Sequence, residues 1–239
     1  MTKAIVLSSG GLDSATTMAV AKDHGYELYS LTFDYGQKHR AELRAAEQLA
    51  HVNHAVHRLV DVTAISGFMR SALIDSDIAV PDYSGQSGIP VTYVPARNTI
   101  FLSVALGYAE TLGADVIFMG CNLADYMAYP DCQADYIDAF QAMANLALKR
   151  AREGLPVLIQ APLMNLSKQD IIELGMRLKV DYSFTVSCYR SDDQGRACGR
   201  CDACTFRKEG FKKAGIADPT RYESCCGKCP LPQPLSRRQ

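Results

Sequence analysis

The chain has 239 residues, 48% of them hydrophobic and 21% charged, which suits one full-size folded α/β domain with at most a small appendage. That composition excludes a disordered, collagen-like or coiled-coil protein. No apolar run reaches the roughly 18 residues a membrane span needs, and a formal net charge of -1 offers no basic excess for a broad nucleic-acid surface.

Residues 4–7 are an apolar run too short for a signal peptide, and they read as a buried strand of a cytoplasmic protein. A glycine-rich loop follows, then residues 13–24 at helical spacing. Residues 26–33 are strand-like, 38–51 form an Ala/Glu/Arg-rich helix, and 54–60 alternate like a third strand. Residues 75–95 carry prolines and glycines and read as a long loop. An apolar helix over 98–111, with Asn98 as its cap, leads into a buried strand over 114–119. A helix over 136–150 and a short strand over 157–160 follow. Ser167 and Asp170 have the spacing of a capping box that opens a helix to Leu178. This alternation predicts a Rossmann-like, doubly wound parallel sheet covered on both faces. Residues 1–182 are expected to form this domain, 183–229 a cysteine-rich zinc-binding subregion, and 230–239 a flexible tail.

Ser8-Ser9-Gly10-Gly11-Leu12-Asp13-Ser14 joins the first strand to the first helix. Small residues let backbone N–H groups approach an anion, and the helix N-terminus behind them adds a favourable dipole. Asp13 suits a helix start, or an indirect ligand to a magnesium ion carried by a nucleotide. A tight strand-to-helix turn with no ligand is one alternative. A dinucleotide fingerprint is another, since Asp34 lies about 20 residues on, although G-x-G-x-x-G is missing. A Walker A loop fails, because no Gly-Lys-Ser/Thr follows.

There are nine cysteines. Cys188-x9-Cys198-x2-Cys201-x2-Cys204 presents four thiols in a short span, the soft tetrahedral donor set of structural zinc. Gly199 helps the chain turn, and Arg196 and Arg200 are expected to offset the negative charge. A thiol-redox pair and a sulfur-carrying cysteine are the competing readings. Cys121 and Cys132 are expected to be core or loop thiols. Cys225, Cys226 and Cys229 stay unassigned.

Other polar constellations follow strand ends, where an open parallel sheet binds its ligands. Residues 33–40 are dense in polar groups. Arg97 sits at a helix start and suits a phosphate or carboxylate, with a solvated arginine beside a capping Asn98 as the alternative. Asp125, Tyr129 and Asp131 share one loop with Tyr126, and aromatic faces with acid acceptors suit a purine-like base; an ordinary polar loop is the bland alternative.

The loop from Ser9 to Ser14 resembles the SGGxDS pyrophosphate loop of the ATP-pyrophosphatase (PP-loop) superfamily. Together with residues 33–40, 61–63, 95–98, 129–132, 162–164 and the four cysteines, it is similar to the 7-cyano-7-deazaguanine synthase family over about residues 3–215. The resemblance implies an adenine nucleotide alpha hydrolase-like fold. It also implies ATP binding by Ser8, Ser9, Gly10, Gly11, Leu12, Asp13, Ser14, Ala15, Thr16, Thr17 and Met18, with Asp13 and Ser14 catalytic. Substrate contacts are expected from Arg97, Asn98, Asp125, Tyr129 and Asp131, with one structural Zn2+ per chain and Mg2+ arriving with ATP. The implied reaction is ATP-dependent conversion of 7-carboxy-7-deazaguanine and ammonia to the nitrile, through an adenylated acid and an amide, in queuosine biosynthesis. A homodimer is implied too, while the near-neutral charge and the lack of a long apolar run lead to the expectation of no nucleic-acid or membrane partner. Met127-Ala128 stands where the family resemblance leads one to expect Ser-Gly. A tRNA-modifying ATP pyrophosphatase and a non-catalytic zinc module remain the alternatives.

Overall fold

A computed structural model describes residues 2–85, 88–122 and 129–223. Asp125, Met127, Ala128, Cys225, Cys226, Cys229 and the tail expected over 230–239 lie outside the described residues. Five strands, β1 (Lys3–Leu7), β2 (Glu27–Asp34), β3 (Val56–Asp61), β4 (Val116–Phe118) and β5 (Leu158–Gln160), form one sheet in the order β3-β2-β1-β4-β5. Each neighbouring pair is parallel, with Ile5 opposite both Tyr29 and Ile117. The helices are α1 (Leu12–Asp23), α2 (Ala41–Val52), α3 (Arg97–Leu112), α4 (Ala134–Ala147), α5 (Lys149–Arg152), α6 (Lys168–Arg177) and α7 (Asp202–Ala214).

The pleat of β1 shows why the sheet is covered on both sides. Ala4 and Val6 pack with Met18 and Ala21 of α1, whereas Ile5 joins Leu102, Ala105 and Leu106 of α3 on the other face. A strand buried on both faces must read as a continuous apolar run, which is how β1 reads. The order reverses beside β1, because β2 and β3 extend one way and β4 and β5 the other. That reversal opens a crevice at the carboxyl ends of β1 and β4, the place where open parallel sheets take ligands.

Two boundaries differ from the sequence expectation. The second helix begins at Ala41 rather than near Lys38. Residues 35–40 are held in a turn in which Gln37 accepts from the Tyr35 N–H and donates to the Phe33 carbonyl. Asn98 is not the cap of α3, whose first residue is Arg97 and whose N-cap is Ala96 in a left-handed conformation. The capping box on α6 is present, with Ser167 and Asp170 hydrogen-bonded in both directions. Hydrogen bonds from Ser167 hold the Asp170 carboxyl below its usual range. Helix α7, within the cysteine-rich region, lacked a distinct sequence signal. No helix among the described residues is long and apolar enough to cross a membrane.

Candidate active site

The glycine loop lies at the carboxyl end of β1. Gly10 has φ +84, and a Cβ there would lie 2.2 Å from the Glu42 carbonyl oxygen and 2.8 Å from the Ala46 nitrogen. Only glycine lets the loop lie this close to the backbone of α2. Beyond it, the N–H groups of the first turn of α1 have no acceptor within the helix. The Ser14 hydroxyl donates to the Gly11 carbonyl, and the Ser9 hydroxyl accepts from the Gly11 N–H. The Ser8 hydroxyl is buried with no hydrogen-bond partner among the described residues. A buried donor left unmade in this way fits an anion that supplies the acceptor.

Ser8, Ser9, Gly11, Leu12, Asp13 and Ser14 line one cavity together with Arg97, Asn98 and Tyr129. Thus the glycine loop and three of the expected substrate residues meet, although they come from separate parts of the chain. Ala15, Thr16, Thr17 and Met18 are buried and do not line the cavity. Met18 packs in the core under β1, and the Thr16 hydroxyl bonds to the Leu12 carbonyl and Tyr182. The helical period turns these residues away from the crevice after the first turn.

Two groups that the sequence reading missed complete the loop. Lys168, the first residue of α6, places its Nζ 2.8 Å from both Asp13 carboxylate oxygens and lines the same cavity. Its signal was the capping box, which fixes where α6 begins. Arg207 of α7 is buried and donates to Thr185, Ser187 and the Tyr182 carbonyl while pairing with Asp218. The Ser187 hydroxyl in turn accepts from the Leu12 N–H at 3.2 Å, and the Val186 N–H donates to the Gly10 carbonyl at 2.9 Å. The C-terminal region therefore anchors the glycine loop directly.

At the start of α3, the Arg97 guanidinium donates to the Tyr35 hydroxyl and lies 5.4 Å from the centre of that ring. No carboxylate among the described residues lies within ion-pair distance of it, so its charge is available to a ligand. Burial works against that charge, but Tyr35, Tyr129, Tyr189 and Asp131 favour it more strongly, and Arg97 stays protonated. Asp131, expected as a base contact, is held against the start of α3. Its carboxylate accepts from the Asn98 N–H at 2.9 Å, its carbonyl accepts from the Asn98 amide, and it does not line the cavity. A carboxylate from a distant loop thereby caps α3, whose N-terminus favours negative charge. The Asp34 carboxylate, weighed above as a ribose-binding acid, is paired with Arg40 and accepts from the Gly36 N–H.

The four cysteines, Cys188, Cys198, Cys201 and Cys204, are buried, and their sulfurs lie within 4.8 Å of one another. The Cys188–Cys201 and Cys198–Cys204 sulfurs are 4.0 Å apart. That is far beyond a disulfide bond and close to the roughly 3.8 Å edge of a tetrahedron with Zn–S bonds of about 2.3 Å. Cys188 accepts from the Arg190 and Cys198 N–H groups, and Cys198 from the Arg200 and Cys201 N–H groups. Such donors favour thiolates. Hydrogen bonds from Cys188 and Cys204 hold Cys201 low, while that thiolate pushes Cys188 up to about 12. Four buried sulfurs gathered this closely, two of them accepting backbone N–H groups, form a donor set that fits a closed metal site. The arginine beside it is Arg190, whose guanidinium donates to Cys198. Arg190 and Arg200 both pair with Asp82, Arg196 pairs with Asp192, and the Arg200 N–H donates to Cys198.

The model of the queuosine biosynthesis protein QueC family matches residues 3–215. A 7-cyano-7-deazaguanine synthase of Pseudomonas syringae pv. syringae (strain B728a) is 59% identical over 92% of this chain and 96% of that protein. One from Azoarcus sp. (strain BH72) is 57% identical over 93% of this chain and 97% of that protein. Among solved structures, NMN synthetase from Francisella tularensis aligns with a TM-score of 0.49 and 16% identity, covering 90% of this chain and 78% of that one. The chain belongs to the family of the queuosine biosynthesis protein QueC.

Proposed function

We propose that this chain is an ATP-dependent C–N ligase that converts 7-carboxy-7-deazaguanine and ammonia to 7-cyano-7-deazaguanine in queuosine biosynthesis. The observation that carries the reading is one cavity lined both by an anion-binding loop and by Arg97, a guanidinium with no carboxylate partner among the described residues. The names of the relatives support it.

In this reading Ser8 to Ser14 bind the ATP phosphates, and their fixed donors receive the pyrophosphate as charge develops on it. Asp13 and Lys168 act as one unit. The Asp13 carboxylate orients the Lys168 ammonium and would help hold Mg2+ arriving with ATP, while Lys168 offsets phosphate charge. Mg2+ supplies charge neutralisation at the phosphates. Arg97 binds the carboxylate of the deazaguanine, and Tyr129 and Asn98 border its ring; Asp125 is kept as a base contact. Asp131 is a positioning residue, fixing the helix end that carries Arg97. Adenylation turns a poor leaving oxygen into AMP, which ammonia displaces to form the amide. A second activation of the amide oxygen and its elimination give the nitrile.

Residues 183–229 are taken as a zinc-held subregion, with Cys188, Cys198, Cys201 and Cys204 as ligands of one structural Zn2+. The family resemblance also implies a cytoplasmic homodimer. A net charge of -1 supports a free small molecule over nucleic acid as substrate. The test incubates the protein with ATP, Mg2+, ammonium and 7-carboxy-7-deazaguanine and follows products by mass spectrometry. Nitrile and substrate-dependent pyrophosphate are expected, and the absence of both would overturn the proposal.

A further inference from the structure

Amide formation needs a group that makes ammonia from ammonium, since the protonated nitrogen has no lone pair. Two carboxylates, Asp13 and Glu42, line the cavity among the described residues, and no histidine does. Asp13 is engaged at both oxygens by Lys168. Asp131 caps α3 and is not at the wall. Glu42 is left.

Its surroundings fix one end of the carboxylate and leave the other open. Gln37 is locked by the Tyr35 N–H and the Phe33 carbonyl, and its amide donates to Glu42 Oε1 at 3.1 Å. Glu42 Oε2 takes no hydrogen bond among the described residues. The charged group that acts on Glu42 is Arg97 from α3, and Glu42 in turn raises the Tyr35 hydroxyl in the turn after β2. Arg97 stands near enough to act on it yet makes no ion pair with it. A substrate carboxyl held by Arg97 would therefore share the cavity with a free carboxylate oxygen.

We infer that Glu42 is a catalytic residue, the base that accepts a proton from ammonium beside the activated carboxyl carbon. The inference rests on the reaction proposed above. Glu42 Oε2 takes one proton from ammonium, leaving neutral ammonia. The nitrogen lone pair forms the C–N bond to the adenylated carbon, and the C–O bond to AMP breaks with its electron pair on the AMP oxygen. The second proton shed by nitrogen passes to the departing AMP phosphate. Burial, working against Arg97 and Gln37, pushes the Glu42 carboxyl up to about 7, where a base is matched to neutral conditions. Arg97 and the anionic substrate together set which form predominates in the complex.

The test is the Glu42→Gln variant of the full chain, which keeps the size of the side chain and can still pair with Gln37, its fold checked by circular dichroism. Three rates are read: the pyrophosphate burst with ATP and the deazaguanine acid before any nitrogen donor is added, amide formation with ammonium, and hydroxamate formation with hydroxylamine. Hydroxylamine is unprotonated at neutral pH and needs no base to free its lone pair. The inference expects the burst and the hydroxylamine rate to stay within about threefold of wild type, while the ammonium rate falls about 100-fold or more. Glu42→Asp, which restores a carboxylate, should recover at least about tenfold of that loss. Parallel loss of the hydroxylamine and ammonium rates, or an ammonium rate within about threefold of wild type, would overturn the role. A wild-type chain that releases no pyrophosphate on the deazaguanine acid would overturn the underlying reaction as well, and is distinguished by its failure before nitrogen is added.

Discussion

Replacing Gly10 by alanine tests whether the glycine loop is held by its contact with α2. The backbone at Gly10 has φ +84, a conformation that costs an L-residue about 1–2 kcal/mol. The new methyl carbon would lie 2.2 Å from the Glu42 carbonyl oxygen and 2.8 Å from the Ala46 nitrogen, both backbone atoms of one turn of α2. Neither atom is the end of a flexible side chain, so the loop or the helix must move, at an overpacking cost of about 1–3 kcal/mol. The two effects together give about 2–5 kcal/mol, a large part of the total stability of a typical domain. With a urea slope of about 2–3 kcal/mol/M, the midpoint should fall by about 1–2 M. Gly11→Ala is the control, since Gly11 has an ordinary φ of -86 and its nearest neighbour would be Ser9 Oγ at 3.4 Å. That variant should unfold within about 0.5 kcal/mol of wild type and yet raise the KM for ATP, because Gly11 lines the cavity. Both midpoints are read from urea titrations of the metal-loaded protein. A Gly10→Ala midpoint equal to wild type would refute the steric reasoning.

Arg97→Met removes a charge-assisted contact of about 1.5–3 kcal/mol, so the KM for the deazaguanine acid should rise about 10- to 150-fold. The KM for ATP should barely change, and equal rises in both would count against the assignment. Lys168→Met should lower kcat/KM for ATP at least about tenfold while changing stability by no more than about 1 kcal/mol, because its ion pair with Asp13 is partly exposed. Cys201→Ala should reduce bound zinc, measured by elemental analysis, and lower the Tm. It should also raise the KM for ATP, since Arg207 and Ser187 link α7 to the Leu12 N–H. Undiminished zinc would refute the ligand set. Glu42 also predicts a pH effect on folding. Its carboxyl moves from 4.5 to about 7 on folding, so between those values the unfolded chain is the more ionised and stability declines as pH rises, levelling off above 7. Relative to Glu42→Gln, wild type should therefore lose at most about 3 kcal/mol between pH 4.5 and 8, and a gain over that range would sink the argument.

What the sequence determined by itself is chemistry carried by neighbouring residues. Ser8 to Ser14 between a strand and a helix, and four cysteines at tight spacing, state their donors within one local segment. The continuous apolar run of β1 likewise implies a strand covered on both faces, because every side chain must find an apolar partner. Tertiary structure alone decided which residues meet those segments. Lys168 reaches Asp13 from 155 positions away, and Ser187 reaches Leu12 from 175. Asp131 caps α3 from a loop 33 residues beyond Asn98, beside Arg97 at the helix start. Glu42 is one of two carboxylates on a polar helix until the turn of residues 35–40 brings it to the cavity wall. Spacing along the chain specifies a turn or a helix face over a few residues. Convergence across a sheet depends on strand order and on which loops share the carboxyl edge, and no local pattern encodes either.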